Sequence, residues 1–429
     1  MERPKPQKWY TIFSNSTRQE KLFLLFAMAC GFFISMDYGL VRPISNSVFL
    51  SHFSSDLLPY VWLIALPLNF FLVALYNRYL PRFGCWRIFL AIVSMVAVGN
   101  TIACFFIGKN PYASLVHFMW KEIYIMLFFQ TIWSVIHATV RKEHAKVLYG
   151  FMFGIGGIGS VLGSLVPGFF AVEMGSEILL LGSLFICGAF IFCYRRAIDN
   201  SHAVASEEML KSGGKKATSI ADSLGVIRRS RLLPYILLLV VLMQVSATLI
   251  DFQFNHFLQE AYPQKNIRTE FLGRMGSMVS TATIALQFFG SVLLLQFMGL
   301  RGTHFLVPLV FSCNTVVTLL FPGVGTLAFA FATIKVFDFS IFSVIKEMLY
   351  IPLAIEEKFQ AKAIIDVFAY RASKAFAAFF ILGLQWINLA ELHFISFLSL
   401  VLFAIWVGSL VFLFRAYPEE KPVLGPAKP

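Results

Sequence analysis

The chain has 429 residues, 58% of them hydrophobic and 14% charged, with 48 Phe and a formal net charge of +12. Soluble domains carry about 25% charged residues, so this composition excludes a soluble globular protein and points to a polytopic membrane protein. The cation excess would suit nucleic acid, but Lys and Arg in cytoplasmic loops are what holds a membrane chain in orientation, and no nucleic-acid partner is expected.

Only helices and closed barrels satisfy the backbone inside lipid. Barrel strands alternate apolar and polar residues, and runs such as "LLPYVWLIALPLNFFLVALY" do not. The fold class is therefore an all-α polytopic membrane protein. Twelve transmembrane helices are expected, roughly at 21–50, 57–77, 87–108, 114–140, 147–173, 176–197, 232–259, 271–298, 302–321, 324–350, 360–387 and 392–416. Residues 1–20 form a polar, basic cytoplasmic segment with no cleavable signal. The first six-helix bundle covers 21–197 and the second 232–416. Between them lies a polar cytoplasmic linker, 198–231, with a short amphipathic helix expected near 220–227. Residues 417–429 are a cytoplasmic tail.

With both termini cytoplasmic, roughly 25 of the 35 Lys and Arg fall on the cytoplasmic side. Outer loops take Lys109, Lys265, Arg268 and Arg274, and the spans take Arg42, Lys121, Lys335, Lys346, Arg371 and Lys374. The six cysteines are scattered and show no metal spacing and no disulfide framework, so no metal and no cofactor are expected.

The two halves resemble each other. "IWSVIHATV" parallels "IFSVIKEML", and "YNRYLPRFGCWR" parallels "LQFMGLRGTHF". Both matches fall six helices apart. Two parallel six-helix repeats are the architecture of major facilitator-like transporters, which hold solute near the bilayer midplane.

An ionisable side chain at the bilayer centre costs at least ~2.5–3.5 kcal/mol, so charges within spans need a wet cavity or a partner. They concentrate in a few expected spans: Asp37 and Arg42 in the first; Lys121, Glu122 and His137 in the fourth; Asp251 and His256 in the seventh; Lys335, Asp338, Lys346 and Glu347 in the tenth; Lys362, Asp366, Arg371 and Lys374 in the eleventh. Spans one, four, seven and ten line the cavity of a facilitator-type fold. Several charges also have structural readings: Lys121 with Glu122 as a pair near the outer surface, Asp37 with Arg42 as a buried pair, and Lys346, Glu347 and Lys362 as gate bridges or snorkelling anchors at the cytoplasmic ends. Arg371 and Lys374 lie on neighbouring rows of one helix face and are read as contacting solute or a gating partner. Excess basic charge suits an anionic solute, since Arg grips phosphate or carboxylate bidentately and Lys acts as a point charge. Asp251, Asp338 and Asp366 can pair with these bases when the site is empty, and one of them could carry a proton.

"GIGGIG" at 154–159 matches a dinucleotide fingerprint by letters, but it has no preceding strand and lies in an apolar helix. It is read as a close helix-packing surface. Tyr38, Trp133, Phe254 and Tyr370 could stack on a base, although in so aromatic a chain any one of them fits core or lipid equally. No Ser/His/Asp or metal constellation supports an enzyme.

The stretch "KEMLYIPLAIEEKFQAKAIIDVFAYRASK", 346–374, resembles the ATP/ADP translocases of plastids and obligate intracellular bacteria. "EHAKVLYGFMFGIGGIGS" and "TLIDFQFNHFLQEAYP" resemble the same family more weakly. The resemblance implies a major facilitator-like nucleotide transporter, an antiporter, with the family's seventh-span acid falling on Asp251 and the lysine after it on Asn255. In the first span "VRPISNS" keeps Arg42, while the family's acidic and lysine positions fall on Pro43, Ser45 and Asn46. The acid expected late in the fourth span falls on Ala138, beside His137.

The reading that follows is a secondary transporter moving a nucleotide or related anionic metabolite by alternating access, with exchange as one mode. The alternatives are a carrier for another organic anion and a non-transporting receptor or scaffold, against which the lack of a sizeable soluble domain argues. Substrate-binding candidates are Arg42, Asn46, His137, Asp251, Asn255, Lys335, Lys346, Arg371 and Lys374. Gating and charge-balancing candidates are Asp37, Asp338, Glu347, Lys362 and Asp366. The expected partners are the solute and membrane lipid, and the expected state is a monomer in a bacterial inner membrane.

Overall fold

The computed structural model describes residues 17–139, 142–201, 225, 227–353, 357 and 361–417. The expected linker helix lies outside the described residues apart from Gly225 and residues 227–229. The side chain of His137 also lies outside them.

The described residues are almost all helical, with short connections and no strand among them. In chain order the helices are α1 (Arg18–His52), α2 (Leu58–Phe106), α3 (Pro111–Thr139), α4 (Lys142–Met174), α5 (Gly182–Asn200), α6 (Leu233–Ala261), α7 (Lys265–Ala285), α8 (Ser291–Leu320), α9 (Val324–Phe337), α10 (Ser343–Leu349), α11 (Tyr370–Trp386) and α12 (Leu392–Ala416). Local sequence sets several ends. Thr17 and Glu20 form a capping box at the start of α1, with Glu20 N donating to Thr17 Oγ1 (3.2 Å) and Thr17 N to Glu20 Oε2 (2.9 Å). Asn110 Oδ1 accepts from Tyr112 N (2.9 Å) at the start of α3.

Among the described residues, nine helical segments are long and apolar enough to cross a membrane. Two of them, Ser55–Phe106 and Lys265–Leu320, run for 52 and 56 residues. At about 1.5 Å per residue each is more than twice as long as a ~30 Å hydrocarbon core. Each breaks at a glycine. Gly84 has φ 76° and ψ 162°, and Gly299 has φ 70° and ψ 179°, left-handed values that a Cβ would strain. These glycines sit inside "YNRYLPRFGCWR" and "LQFMGLRGTHF", so the sequence repeat is also a backbone repeat.

Three π-helical stretches interrupt the C-terminal helices, at Leu286–Gly290, Asp338–Phe342 and Ala363–Ala369. Such bulges often mark functional sites, and two of these three contain a candidate aspartate, Asp338 and Asp366.

By packing, the chain divides into two compact units, one of Met1–Ala217 with Leu258–Ile284, the other of Thr218–Phe257 with Ala285–Pro429. In the first unit α1 is central. It packs on α3, α4 and α5, and its core includes Phe89, Phe128, Phe190 and Tyr194, with Phe89 stacked on Tyr194 and edge-on to Phe190 at 4.9 Å. The "GIGGIG" helix, α4, lies directly on α1. A Cβ at Gly159 would run into the Phe32 carbonyl, and one at Gly163 into that of Met36. The glycines are a close-packing surface on a helix, not a phosphate cradle. In the second unit Trp406 packs against Phe311 and Phe342, and Phe254 stacks on Phe331 at 4.5 Å.

One expectation fails outright. Arg268 is not in a loop. It lies in the first turn of α7 and is 1% exposed. Lys265 and Arg274 are likewise helical. The polar run "QKNIRTEF" reads as a loop because its apolar residues are few. Its polar side chains instead bond to the rest of the first unit.

Candidate functional site

In the second unit the charges meet one another. Lys335 on α9 approaches Asp251 on α6, Nζ to Oδ2 3.7 Å. Asn255, one turn further along α6, donates to the Asp251 carboxylate (2.8 Å) and main-chain oxygen (2.7 Å). Lys335 Nζ also lies 5.4 Å from the centre of the Phe331 ring. Further along, Lys346 on α10 pairs with Asp366 at 2.8 Å. The adjacent Glu347 pairs with Lys362 at 2.5 Å, and Lys362 Nζ lies 5.3 Å from the centre of the Tyr350 ring. The span from Lys335 to Lys346 is about 16 Å of helix, so the pairs form a ladder along this unit. Between them, Asp338 accepts from Gln244 Nε2 (3.0 Å) and from the Tyr370 hydroxyl (3.2 Å). Arg371 and Lys374 stand half-buried on α11, one and four residues beyond Tyr370.

The first unit handles charge differently. Asp37 on α1 is 1% exposed. Its Oδ1 accepts from Ser183 Oγ (2.5 Å) on α5 and its Oδ2 from the Tyr124 hydroxyl (2.8 Å) on α3. Asn100 on α2 donates to Ser183 (2.9 Å). Asp37 makes no ion pair among the described residues. The Arg42 guanidinium lies 5.7 Å from the Tyr38 ring centre. Asn46 presents a buried Oδ1 with no hydrogen-bond partner among the described residues. Lys121 bonds to its neighbour Glu122 (2.8 Å) and sits 3.9 Å over the Phe118 ring. It is 1% exposed, and the Glu122 side chain is 27% exposed.

Arg268 is the residue that sequence reasoning missed. Its guanidinium donates to Ser47 O (2.7 Å), Ser51 Oγ (2.6 Å), Tyr262 O (3.0 Å) and Ser47 Oγ (3.3 Å). Gln259 donates to Leu50 O (2.8 Å) and Phe53 O (2.9 Å), and Lys265 pairs with Glu177. Gln244 was missed as well, although a lone Gln inside "LLLVVLMQVSATLI" was a readable signal. Nothing in the sequence marks Tyr124 or Ser183 as partners of Asp37. Among the described residues no cluster of His, Cys, Asp or Glu could hold a metal ion.

The description "TLC ATP/ADP transporter" matches residues 169–334 and 316–417, together more than half of the chain. The chain belongs to the TLC ATP/ADP transporter family. It is 21% identical over 94% of its length to ADP,ATP carrier protein 3 of Rickettsia bellii, covering 95% of that protein. It is 25% identical over 68% of its length to ADP,ATP carrier protein 1 of Chlamydia pneumoniae, covering 64% of that one. Among solved structures, the nucleoside transporter NupG superposes with a TM-score of 0.59 at 9% identity, covering 94% of this chain and all of NupG. The xylose transporter XylE from E. coli gives 0.60 at 13% identity, covering 94% of this chain and 99% of XylE. These likenesses establish a major facilitator-like fold. The family match takes in every candidate from Asp251 to Lys374 and leaves out Asp37, Arg42, Asn46 and His137. This TLC chain is a multi-pass integral membrane protein.

Proposed function

We propose that the chain is a secondary transporter that moves a nucleotide across a membrane by alternating access, with exchange of one nucleotide for another as its mode. The observation that carries the reading is the ladder of lysine–carboxylate pairs, Lys335–Asp251 and Lys346–Asp366, inside the residues that match the family. These pairs are half-buried, and neither exposed nor buried ion pairs add much net stability, so their presence in spans calls for another use. A nucleotide polyphosphate offers the lysines a better partner than a single carboxylate. On its arrival Lys346 and Lys335 exchange Asp366 and Asp251 for phosphate oxygens, and Arg371 can clamp a phosphate bidentately. Lys374 adds positive charge on the same helix. Glu347, Lys362 and Asp338 act as charge-balancing and gating groups. Arg42, His137 and Asn46 are the solute-binding candidates of the first unit, and Asn46 Oδ1, buried and without a hydrogen-bond partner among the described residues, can accept from a base amino group or ribose hydroxyl. The nucleotide itself is taken from the printed names of the relatives, which are ADP,ATP carriers.

The long segments Ser55–Phe106 and Lys265–Leu320 count as two spans each in this reading, and α3 crosses as well, making twelve. The termini are cytoplasmic, the membrane is a bacterial inner membrane, and the protein works as a lipid-embedded monomer that performs no covalent chemistry.

The test is uptake into proteoliposomes of labelled nucleotides and other organic anions, with and without solute inside. Nucleotide accumulating only in preloaded vesicles supports exchange, and uptake of a different anion alone reassigns the cargo. Arg371→Ala is expected to abolish uptake that the exposed-site control Arg415→Ala preserves. Equal loss in both removes Arg371 from the site.

A further inference from the structure

Asp37 stands apart from the other candidate carboxylates. It is buried at the centre of the first unit, held only by neutral donors, and makes no ion pair among the described residues. The groups facing it are few. From α3 comes the Tyr124 hydroxyl; Lys121, one turn away, is bonded to Glu122. From α5 come Ser183 and, beyond it, Cys187, whose Sγ lies 4.0 Å from Ser183 Oγ. From α2 comes Asn100, which reaches Ser183. Helix α4 brings Ser164, which donates to Gly39 O (3.2 Å), and its one acidic residue after Met152 is Glu173, at the far end. On α1 itself Arg42 lies five residues on, about 140° around the helix.

We propose that Asp37 is a proton-binding site whose loading and unloading couples nucleotide movement to a proton gradient. The cluster takes a proton without losing a bond. With the carboxylate ionised, Ser183 Oγ–H and Tyr124 O–H both donate to it. With a proton on Oδ1, that O–H donates to Ser183 Oγ, which also accepts from Asn100 Nδ2. The Ser183 hydrogen then turns toward Cys187 Sγ, and Tyr124 still donates to Oδ2. An ionised carboxylate with no counter-cation is disfavoured inside a membrane helix, so in this arrangement the proton is held. It is released when α1 shifts against α3 and α5 and these bonds part. Helix α1 also carries Arg42 and Asn46, so a movement that meets the solute is the movement that opens the proton site.

The inference rests on the transporter reading, and the experiment separates the two. Wild-type protein in proteoliposomes is given labelled ATP and ADP in two arms. One arm is preloaded with nucleotide and has no gradient; the other is empty, with acid outside and a pH dye. The expected result is gradient-driven accumulation with proton entry. Asp37→Asn is expected to lose both while keeping measurable exchange. Wild type that exchanges nucleotide but shows neither accumulation nor proton entry overturns the proposal, and so does Asp37→Asn that accumulates like wild type. If Asp37→Asn does not fold, Ser183→Ala serves, and an unchanged pH profile of gradient-driven uptake overturns the proposal. Absence of wild-type nucleotide uptake in both arms instead defeats the transporter reading.

Discussion

The two compact units treat charge differently. In the first, Asp37 and Arg268 are satisfied by neutral partners, Asp37 by Ser183 and Tyr124 and Arg268 by carbonyls and serine hydroxyls, while Lys121 and Lys265 pair with Glu122 and Glu177. In the second the charges are matched to each other, Lys335 with Asp251, Lys346 with Asp366, and Lys362 with Glu347. A charge that spans several neutral acceptors, as Arg268 does, is locked to that geometry, because any new partner must first break several bonds. A charge paired with a single opposite charge can be handed to a ligand of the same sign as its partner. The first arrangement holds helices together, and the second stores binding capacity.

The sharpest way to break this contrast is Arg268→Ala. Removing the guanidinium takes the donor from the half-buried Tyr262 carbonyl and from Ser51 Oγ, while Ser47 O keeps the Ser51 hydroxyl, and an orphaned acceptor costs about 1–3 kcal/mol. The largest loss of thermal stability in detergent is therefore expected here. Arg268→Lys recovers only part of it, because one ammonium cannot reach four acceptors set in a fork. A stable Arg268→Ala protein would mean that the first unit is not held by this residue.

Gly163→Ala tests the packing that surrounds Asp37. The added methyl meets the Met36 carbonyl, next in sequence to Asp37, and overpacking of this kind costs typically about 1–3 kcal/mol. Gly383→Ala on α11, where a Cβ has nothing within 4 Å, is expected to be neutral or slightly stabilising, since alanine is the better helix former by about 1 kcal/mol. Equal melting temperatures for the two variants would show that α1 and α4 can separate freely.

The helices were legible because apolar runs of spanning length dominate the chain, and the break at "RFGCWR" was legible as a short loop. What could not be read was that the break narrows to a single left-handed glycine, Gly84 or Gly299, with helix on both sides of it. The second-unit charges were readable because charges stand out against lipid-facing sequence. Arg268 was not: in "QKNIRTEF" a charge is unremarked, and only folding shows that it is enclosed. Nor do the π-helical stretches at Asp338 and Asp366 leave a periodic trace, since one extra residue per bulge is invisible in runs this uniformly apolar.

In the second unit, mutation should spare stability and damage transport. Lys346→Ala leaves Asp366 a quarter exposed and is expected to change melting little while abolishing nucleotide uptake. A double-mutant cycle of Lys346→Ala and Asp366→Ala on nucleotide affinity should give a coupling of about 0.5–3 kcal/mol. A zero coupling would mean that the pair does not respond to solute. The smallest effect belongs to Lys362–Glu347, whose side chains are 30% and 45% exposed. Exposed pairs contribute about 0.2–1 kcal/mol and are screened by salt. Glu347→Gln should therefore shift transport modestly at low ionic strength and hardly at all at high salt. If the effect of Glu347→Gln survives high salt undiminished, this pair is enclosed during transport and belongs with the ligand-exchanging pairs rather than at their edge.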